Sequence, residues 1–188
     1  MLFDSHAHID DKRFNEDRDE VIGRAIAAGL TGILNAGADM FSSARAVELA
    51  QRYEMVWAAV GIHPHDAKDA REPDYEKLAA WCDNPKVVAV GEMGLDYHYD
   101  LSPREVQKAV FARQLALARE VGKPVIIHNR EAHADTLEIV KREGKGLNGV
   151  FHCFSGSVET LREVLKLGFY VSVAGAVTTS AQTFAGLK

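Results

Sequence analysis

The chain has 188 residues, with 22 Lys and Arg against 27 Asp and Glu, and a net charge of −5 at pH 7. This balance excludes a protein that coats nucleic acid by broad phosphate neutralisation, but it allows an enzyme that contacts only a few phosphates. A hydrophobic fraction of 47 % is enough for a packed core, and the length fits a single domain over residues 1–188.

The cysteines and the two terminal segments of the sequence bear on the cellular location of the protein. Cys82 and Cys153 are too few and too far apart for a disulfide scaffold or a cysteine-based zinc site. The N-terminal segment contains Asp4 and no apolar run, which argues against a secretory signal. Residues 167–187 are uncharged, but hydroxyl and amide side chains interrupt them, so we expect no membrane span there. A cytoplasmic protein that does not enter the membrane is therefore expected.

Short apolar runs alternate with longer amphipathic runs along the whole chain. The predicted strands are rich in Val and Ile and cover residues 2–6, 29–37, 55–63, 86–94, 124–128, 148–153 and 169–175. Helices are predicted between them, at 15–29, 42–53, 74–82, 102–122, 132–144 and 157–168. The fourth predicted helix has the clearest start, with Ser102 as N-cap and Pro103 at the first helical position, and Gly122 ends that helix.

The strand–helix repeat predicts an α/β fold with a parallel sheet. A (β/α)8 TIM-type barrel is favoured over a doubly wound sheet, because no GxGxxG fingerprint follows any predicted strand. A complete barrel takes about 250 residues, so we expect about seven strands here, with the last βα unit missing.

Histidines and one glutamate fall at the ends of separate predicted strands. His6 and His8 end the first strand, and alternate residues of a strand point to one face, so this pair either binds a cation or merely caps the strand. Glu92, His128 and His152 end the fourth, fifth and sixth strands, although His152 could also be a hydrogen-bonded core residue. In a barrel these strand ends meet at one mouth. Such a set suits Zn, Mn, Ni or Fe, and a bridging glutamate allows two metals.

Five ordered motifs carry a family resemblance: DSHAHID, GIHPHDA, VGEMGLDYHYD, PVIIHNRE and GVFHCFSG. In this order and spacing they resemble the TatD family of metal-dependent deoxyribonucleases. The resemblance implies a (β/α)8 barrel with one or two divalent ions (Mg, Mn, Zn, Ni or Fe) that hydrolyses phosphodiester bonds, typically at DNA ends. Matched position by position, it implies His6 and His8 on a first metal, Glu92 as the bridging carboxylate, and His128 and His152 on a second.

The resemblance also points to residues near the substrate. His63 and His65 lie in the segment that is close to substrate in this family, so they are candidates for holding a phosphate. The alternative is a loop stiffened by Pro64, whose histidines cap backbone groups, and we expect this more of His65 than of His63. Arg130 is a candidate for a bidentate phosphate contact, unless it pairs with Glu131 or Asp135. His98 and His133 match no role and are predicted to lie on the surface.

One departure from the family pattern affects the expected activity. The family's eighth strand ends in a Glu-Thr-Asp run whose Asp ligates the first metal and orients the attacking water, and no such run occurs here. The catalytic residue therefore stays unassigned. Three hypotheses follow: a DNA-end exonuclease, a related hydrolase of a small ester, amide or phosphoester, and a catalytically impaired fragment. The second is disfavoured, because carbonyl hydrolases of this kind often carry a carbamylated Lys where Glu92 stands. Open barrel edges would also promote self-association.

Overall fold

The computed structural model describes residues 2–175, which form a curled sheet of seven parallel strands paired in chain order. The strands are β1 Leu2–Ala7, β2 Leu30–Ala36, β3 Val56–Val60, β4 Val87–Asp96, β5 Val125–Arg130, β6 Gly149–Phe151 and β7 Tyr170–Val171. The helices that connect them are α1 Arg18–Ala27, α2 Met40–Arg52, α3 Glu72–Cys82, α4 Arg104–Glu120, α5 His133–Glu143 and α6 Val158–Lys166. Two 3-10 turns, Lys12–Phe14 and Pro64–Asp69, follow β1 and β3. The predicted class, a strand–helix barrel with parallel strands, is confirmed.

The central strands β3 and β4 are buried on both faces, which explains why they read as continuous apolar runs, whereas β1 at the edge of the sheet is largely exposed. The main core lies between the sheet and the helices, and its largest fully buried side chains include Leu78, Phe111 and Phe151. A smaller second cluster is built on Ala59, Ala89 and Ile126.

Glycine allows β4 and β5 to approach closely beside the strand ends. Gly94 pairs with His128 and has a φ of +140°, a conformation that side chains disfavour. A Cβ atom at this position would lie 2.0 Å from the carbonyl oxygen of His128. The glycine therefore lets β4 place Glu92 and Asp96 directly alongside the His128 side chain.

The predicted start of α4 is wrong by one residue. The helix begins at Arg104 with Pro103 at the cap, and Ser102 does not cap it. The buried Ser102 hydroxyl instead donates to the carbonyl of His65, at 2.8 Å, and accepts from the N–H of Lys68, at 3.1 Å. The hydroxyl binds there because the backbone N–H and C=O groups of the 3-10 turn after β3 need hydrogen-bond partners. In α6, by contrast, Ser157 caps as predicted and accepts from the N–H of Thr160.

Within residues 2–175, no helix is long and apolar enough to cross a membrane. The uncharged segment 167–187 was predicted not to span one, and its part from residue 176 onward lies outside the residues described here.

Candidate metal centre

The Glu92 carboxylate lies at the centre of the four histidines singled out in the sequence. Its Oε2 is 3.2 Å from Nε2 of His6 and 3.6 Å from Nε2 of His8. Its Oε1 is 2.9 Å from Nδ1 of His128 and 2.6 Å from Nε2 of His152. Each carboxylate oxygen therefore faces one pair of imidazoles. The five residues come from four different strands, with Glu92 inside β4 and the histidines near the ends of β1, β5 and β6.

The end of β1 is held against β2 by buried polar contacts. Asn35, which is fully buried, donates to Asp10 Oδ1 at 2.8 Å, and its own Oδ1 accepts from the N–H of Asp10. The buried Arg18 guanidinium donates to the carbonyl of Ile9 at 2.7 Å and to that of Asp10 at 3.2 Å. These contacts fix the segment that follows His8, so the two β1 imidazoles are presented from a supported chain end.

The hydrogen bond on the far side of His8 determines which of its nitrogens faces the site. Nδ1 of His8 is 2.9 Å from the carbonyl oxygen of Ala36. Because a carbonyl only accepts, Nδ1 carries the proton, and the Nε2 lone pair of the neutral ring points towards Glu92. This is the form of histidine that binds a metal.

His63 has the opposite arrangement. Its Nδ1 accepts from the N–H of His65 at 3.2 Å, so in the neutral ring the proton lies on Nε2, 3.5 Å from Glu92 Oε1. Burial lowers the pKa of His63 to about 4, although the Glu92 carboxylate partly opposes this. His63 thus presents an N–H donor to the centre. Capping of a backbone group was expected more of His65 than of His63. The structure reverses this, because the His63 side chain caps the N–H of His65.

Asp96 is a residue of this cluster that the sequence reasoning missed. It is fully buried, and its Oδ2 lies 2.9 Å from Nε2 of His65 and 3.1 Å from Nε2 of His128. Burial alone would raise the pKa of Asp96, but hydrogen bonds from Tyr99 N–H, His65 and His128 outweigh it and lower the pKa to about 2. Its position could have indicated a role, because Asp96 lies four residues after Glu92 in β4 and alternate residues of a strand point to the same face.

Two buried glutamines of α4 support the ends of neighbouring strands. Gln114 accepts from the N–H of Ile62 and donates to its carbonyl, both at 2.8 Å. Gln107 makes the same pair of contacts with Asp96, at 2.9 and 3.2 Å. The spacing of seven residues places both amides on one face of the helix. Both glutamines bind backbone groups only. They therefore hold the chain just before His63, and the backbone of Asp96, and leave the side chains at these strand ends free to face the centre.

The charge of the centre fits a bound cation. Burial would raise the pKa of Glu92, but contacts with His128, His152, His6 and His63 hold it well below its usual range. Burial lowers the pKa of His152 despite the adjacent carboxylate. The Nε2 lone pair of His8 then faces an ionised carboxylate, which is unfavourable unless a cation lies between them. Imidazole nitrogens with one carboxylate form a donor set suited to a divalent metal.

Arg130 does not form the ion pairs that were its alternative interpretation. Its guanidinium lies over the ring of Tyr99, 4.7 Å from the centroid. Glu131 instead contacts His98 at 2.8 Å, and Asp135 contacts Lys108 at the same distance. A cavity of about 370 Å³ opens beside it, lined by His128, Asn129, Arg130, His152, Cys153 and Ser155. This volume is within the range of small-molecule sites.

Of the two histidines predicted to lie on the surface, only His98 does so. It is exposed, whereas His133 is partly buried at the start of α5. The Nε2 atom of His133 is buried and has no hydrogen-bond partner within residues 2–175, and burial lowers its pKa. The prediction for His133 is wrong, because its ring packs near Gly156.

A parallel strand–helix barrel whose strand ends converge on one carboxylate and several imidazoles defines a metal-dependent hydrolase of the barrel type. The family model for TatD related DNases matches residues 3–185. The chain belongs to the TatD family, as its motifs suggested.

Individual relatives agree with this assignment. The chain is 47 % identical over 179 residues to an uncharacterized metal-dependent hydrolase of Bacillus subtilis (strain 168), YabD, covering 95 % of this chain and 70 % of that protein. It is 37 % identical over 177 residues to the 3′-5′ ssDNA/RNA exonuclease TatD of Citrobacter koseri, covering 94 % and 68 %. The crystal structure of YJJV, a TatD homologue from Escherichia coli K12, superposes with a TM-score of 0.88 at 31 % identity, covering 98 % and 72 %.

Proposed function

We propose that this hydrolase is an exonuclease that removes nucleotides from the 3′ ends of single-stranded DNA or RNA. The observation that carries the proposal is two donors that suit a phosphate group: the Nε2–H of His63 beside Glu92, and Arg130 in the cavity that His128 and His152 also line. The name of the Citrobacter koseri relative, a 3′-5′ ssDNA/RNA exonuclease, supports the choice of substrate and polarity. The net charge of −5 favours a short contact at an end over a long nucleic-acid track.

One or two divalent ions are proposed at the centre, bound by His6, His8, Glu92, His128 and His152. Such ions supply Lewis-acid activation of water and stabilise charge on the attacking and leaving oxygens of a phosphodiester. In this proposal Glu92 is shared between the two sides, because each of its oxygens faces a different pair of imidazoles.

His63, His65 and Arg130 are proposed to bind the scissile phosphate. The Nε2–H of His63 donates to one non-bridging oxygen, and Arg130 offers parallel N–H groups to another. His65 gives its Nε2–H to Asp96, and its ring lies against that of His63, with centroids 4.2 Å apart, so it lines the proposed phosphate site beside His63. The cavity beyond Arg130 then accepts the nucleoside at the chain end.

The test is digestion of single-stranded oligonucleotides, labelled at the 3′ or the 5′ end, with Mg²⁺ or Mn²⁺. The proposal predicts early release of the 3′ label as a mononucleotide and progressive shortening of the 5′-labelled strand. Cleavage inside the strand would contradict it. Hydrolysis of bis(p-nitrophenyl) phosphate or of a small carboxylic ester, without action on oligonucleotides, would contradict it as well.

Arg130→Lys gives a finer test of the phosphate contact. We expect kcat/KM on oligonucleotides to fall by about 10- to 100-fold, because a lysine cannot make the bidentate contact of a guanidinium. Arg142→Lys is the matched control, since Arg142 is exposed on α5 and pairs with Glu138 and Glu143. Equal activity of the two variants would remove Arg130 from the site.

A further inference from the structure

The buried carboxylate of Asp96 lies behind the metal centre and joins two of its histidines. Its Oδ2 contacts Nε2 of both His65 and His128, at 2.9 and 3.1 Å. Its Oδ1 accepts from the backbone N–H groups of His98 and Tyr99, at 3.0 and 2.9 Å. All four contacts are made by a side chain that solvent does not reach.

These contacts determine where the protons lie on the two rings. An ionised carboxylate can only accept hydrogen bonds, so both imidazoles must donate to it from Nε2. A neutral His128 with its proton on Nε2 has its lone pair on Nδ1. That atom is 2.9 Å from Glu92 Oε1 and 3.2 Å from Nε2 of His152, so the lone pair faces the centre.

We propose that Asp96 is a positioning residue that fixes His128 in the Nε2–H tautomer, so that His128 presents Nδ1 to the metal. The same oxygen of Asp96 also binds His65, so Asp96 connects the proposed metal ligand His128 to the proposed phosphate-binding segment after β3. The inference rests on the metal centre proposed above, but not on the identity of the substrate.

The surroundings of Asp96 hold the carboxylate in one orientation. Gln107 of α4 accepts from the N–H of Asp96 and donates to the carbonyls of Asp96 and Ser102, at 2.9, 3.2 and 2.8 Å. Gln107 is itself buried, with 1 % of its surface exposed. Because backbone, helix and loop all restrain Asp96, its Oδ2 cannot turn away from the two imidazoles without breaking other buried hydrogen bonds.

The same restraints make Asp96→Asn a selective substitution. Two backbone N–H groups point at the Oδ1 position, so the asparagine oxygen must occupy it and the amide nitrogen must take the place of Oδ2. The amide then donates to Nε2 of both histidines. His128 is forced to carry its proton on Nδ1, the atom that faces Glu92, and loses the lone pair offered to the metal.

The experiment uses the whole protein labelled with ¹⁵N-histidine and loaded with Zn²⁺, at about pH 8, where unperturbed imidazole is neutral. Long-range ¹H–¹⁵N correlation spectra should show protonated Nε2 on His65 and His128 in the wild type. In Asp96→Asn, the proton of His65 should move to Nδ1, and Zn²⁺ affinity measured by calorimetry should fall by about 10- to 100-fold. Asp135→Asn is the matched control, because Asp135 contacts Lys108 and Tyr97 but no histidine.

A protonated Nδ1 on His128 or His65 in the wild type would overturn the proposal, and this needs no variant. Unchanged tautomers and unchanged Zn²⁺ affinity in Asp96→Asn, with only a lower melting temperature, would likewise overturn it and leave Asp96 a structural residue. If the wild type binds no Zn²⁺, the metal centre itself is contradicted. Failure to digest oligonucleotides, with the spectra as expected, contradicts only the proposed substrate.

Discussion

Nε2 of His152 lies 2.6 Å from Oε1 of Glu92, although β4 and β6 are separated in the sheet by β5. The His152 ring also stacks on His6 of β1, with centroids 4.2 Å apart and an angle of 8° between the planes. Residues from the first and sixth strands can meet in this way only because the sheet curls around the site. The curvature of the sheet thus brings the proposed ligands together.

Glu92→Gln should abolish tight metal binding. The substitution removes the ionised carboxylate that faces every imidazole of the centre, while its size and packing are kept. Metal affinity should fall by more than about 100-fold, beyond what the loss of an outer-shell partner costs. Calorimetric titration with Zn²⁺ or Mn²⁺ measures the change.

Glu163→Gln is the matched control for this substitution. Glu163 is a partly exposed residue of α6 that pairs with Lys141 and Lys166, away from the centre. Metal affinity in Glu92→Gln equal to that of the control would show that the ion binds elsewhere.

Metal affinity should decrease as the pH falls, and because burial lowers the pKa of His152, protonation of this ligand should begin only below the usual imidazole value of about 6.5. Protons and metal compete for the same nitrogen lone pairs, so binding releases protons in this range and does so less at higher pH. Calorimetry in buffers of different ionisation enthalpy counts the released protons. A metal affinity that does not change between about pH 5 and pH 8 would indicate carboxylate ligands rather than histidines.

Gly94→Ala should destabilise the protein and disturb the centre together. An added Cβ would lie 2.0 Å from the carbonyl oxygen of His128. This oxygen belongs to the backbone of β5, so the clash can be relieved only by moving the strand. We expect a loss of a few kcal/mol in the free energy of unfolding, as for other overpacked or strained sites. Gly23→Ala, in the exposed part of α1 with nothing within 4 Å, is the control and should not destabilise. Equal unfolding midpoints in urea for the two variants would contradict this.

His133 should make stability depend on pH independently of the metal. Burial lowers its pKa in the folded protein below the unfolded value of about 6.5. Its stabilising contribution is therefore complete above about pH 6.5 and is lost as the pH falls through the folded pKa, because the folded state resists the extra proton. Urea unfolding with EDTA, at about pH 7.5 and pH 5, should show a smaller loss in His133→Gln than in the wild type. The exposed His98→Gln should behave as the wild type, and a similar loss in all three proteins would contradict the assignment.

The order of strands and helices could be predicted because strands buried on both faces are continuous apolar runs and each connecting helix is amphipathic. The convergence of Glu92 with His128 and His152 followed from their places at the ends of parallel strands. Asp96 could not be singled out, since Asp100 follows in the same segment and only the fold shows which one is buried beside two imidazoles. The proton positions on His8 and His63 depend on the Ala36 carbonyl and the His65 N–H, contacts that no residue pattern specifies.

Two expectations from the sequence stay predictions. The chain was expected to self-associate through sheet edges, and light scattering of the purified protein measures its mass directly. A cytoplasmic location was also expected, and fractionation of cells that express the protein tests it.

The most direct test of the proposed centre is a crystal structure of the protein grown with Mn²⁺ or Zn²⁺, with anomalous scattering to locate the ion. We expect one or two peaks at about 2.0–2.2 Å from a Glu92 oxygen and from histidine nitrogens, with His8 bound through Nε2 and His128 through Nδ1. A peak in the acidic cleft lined by Asp39, Asp66, Asp69 and Asp74, with none at Glu92, would contradict it.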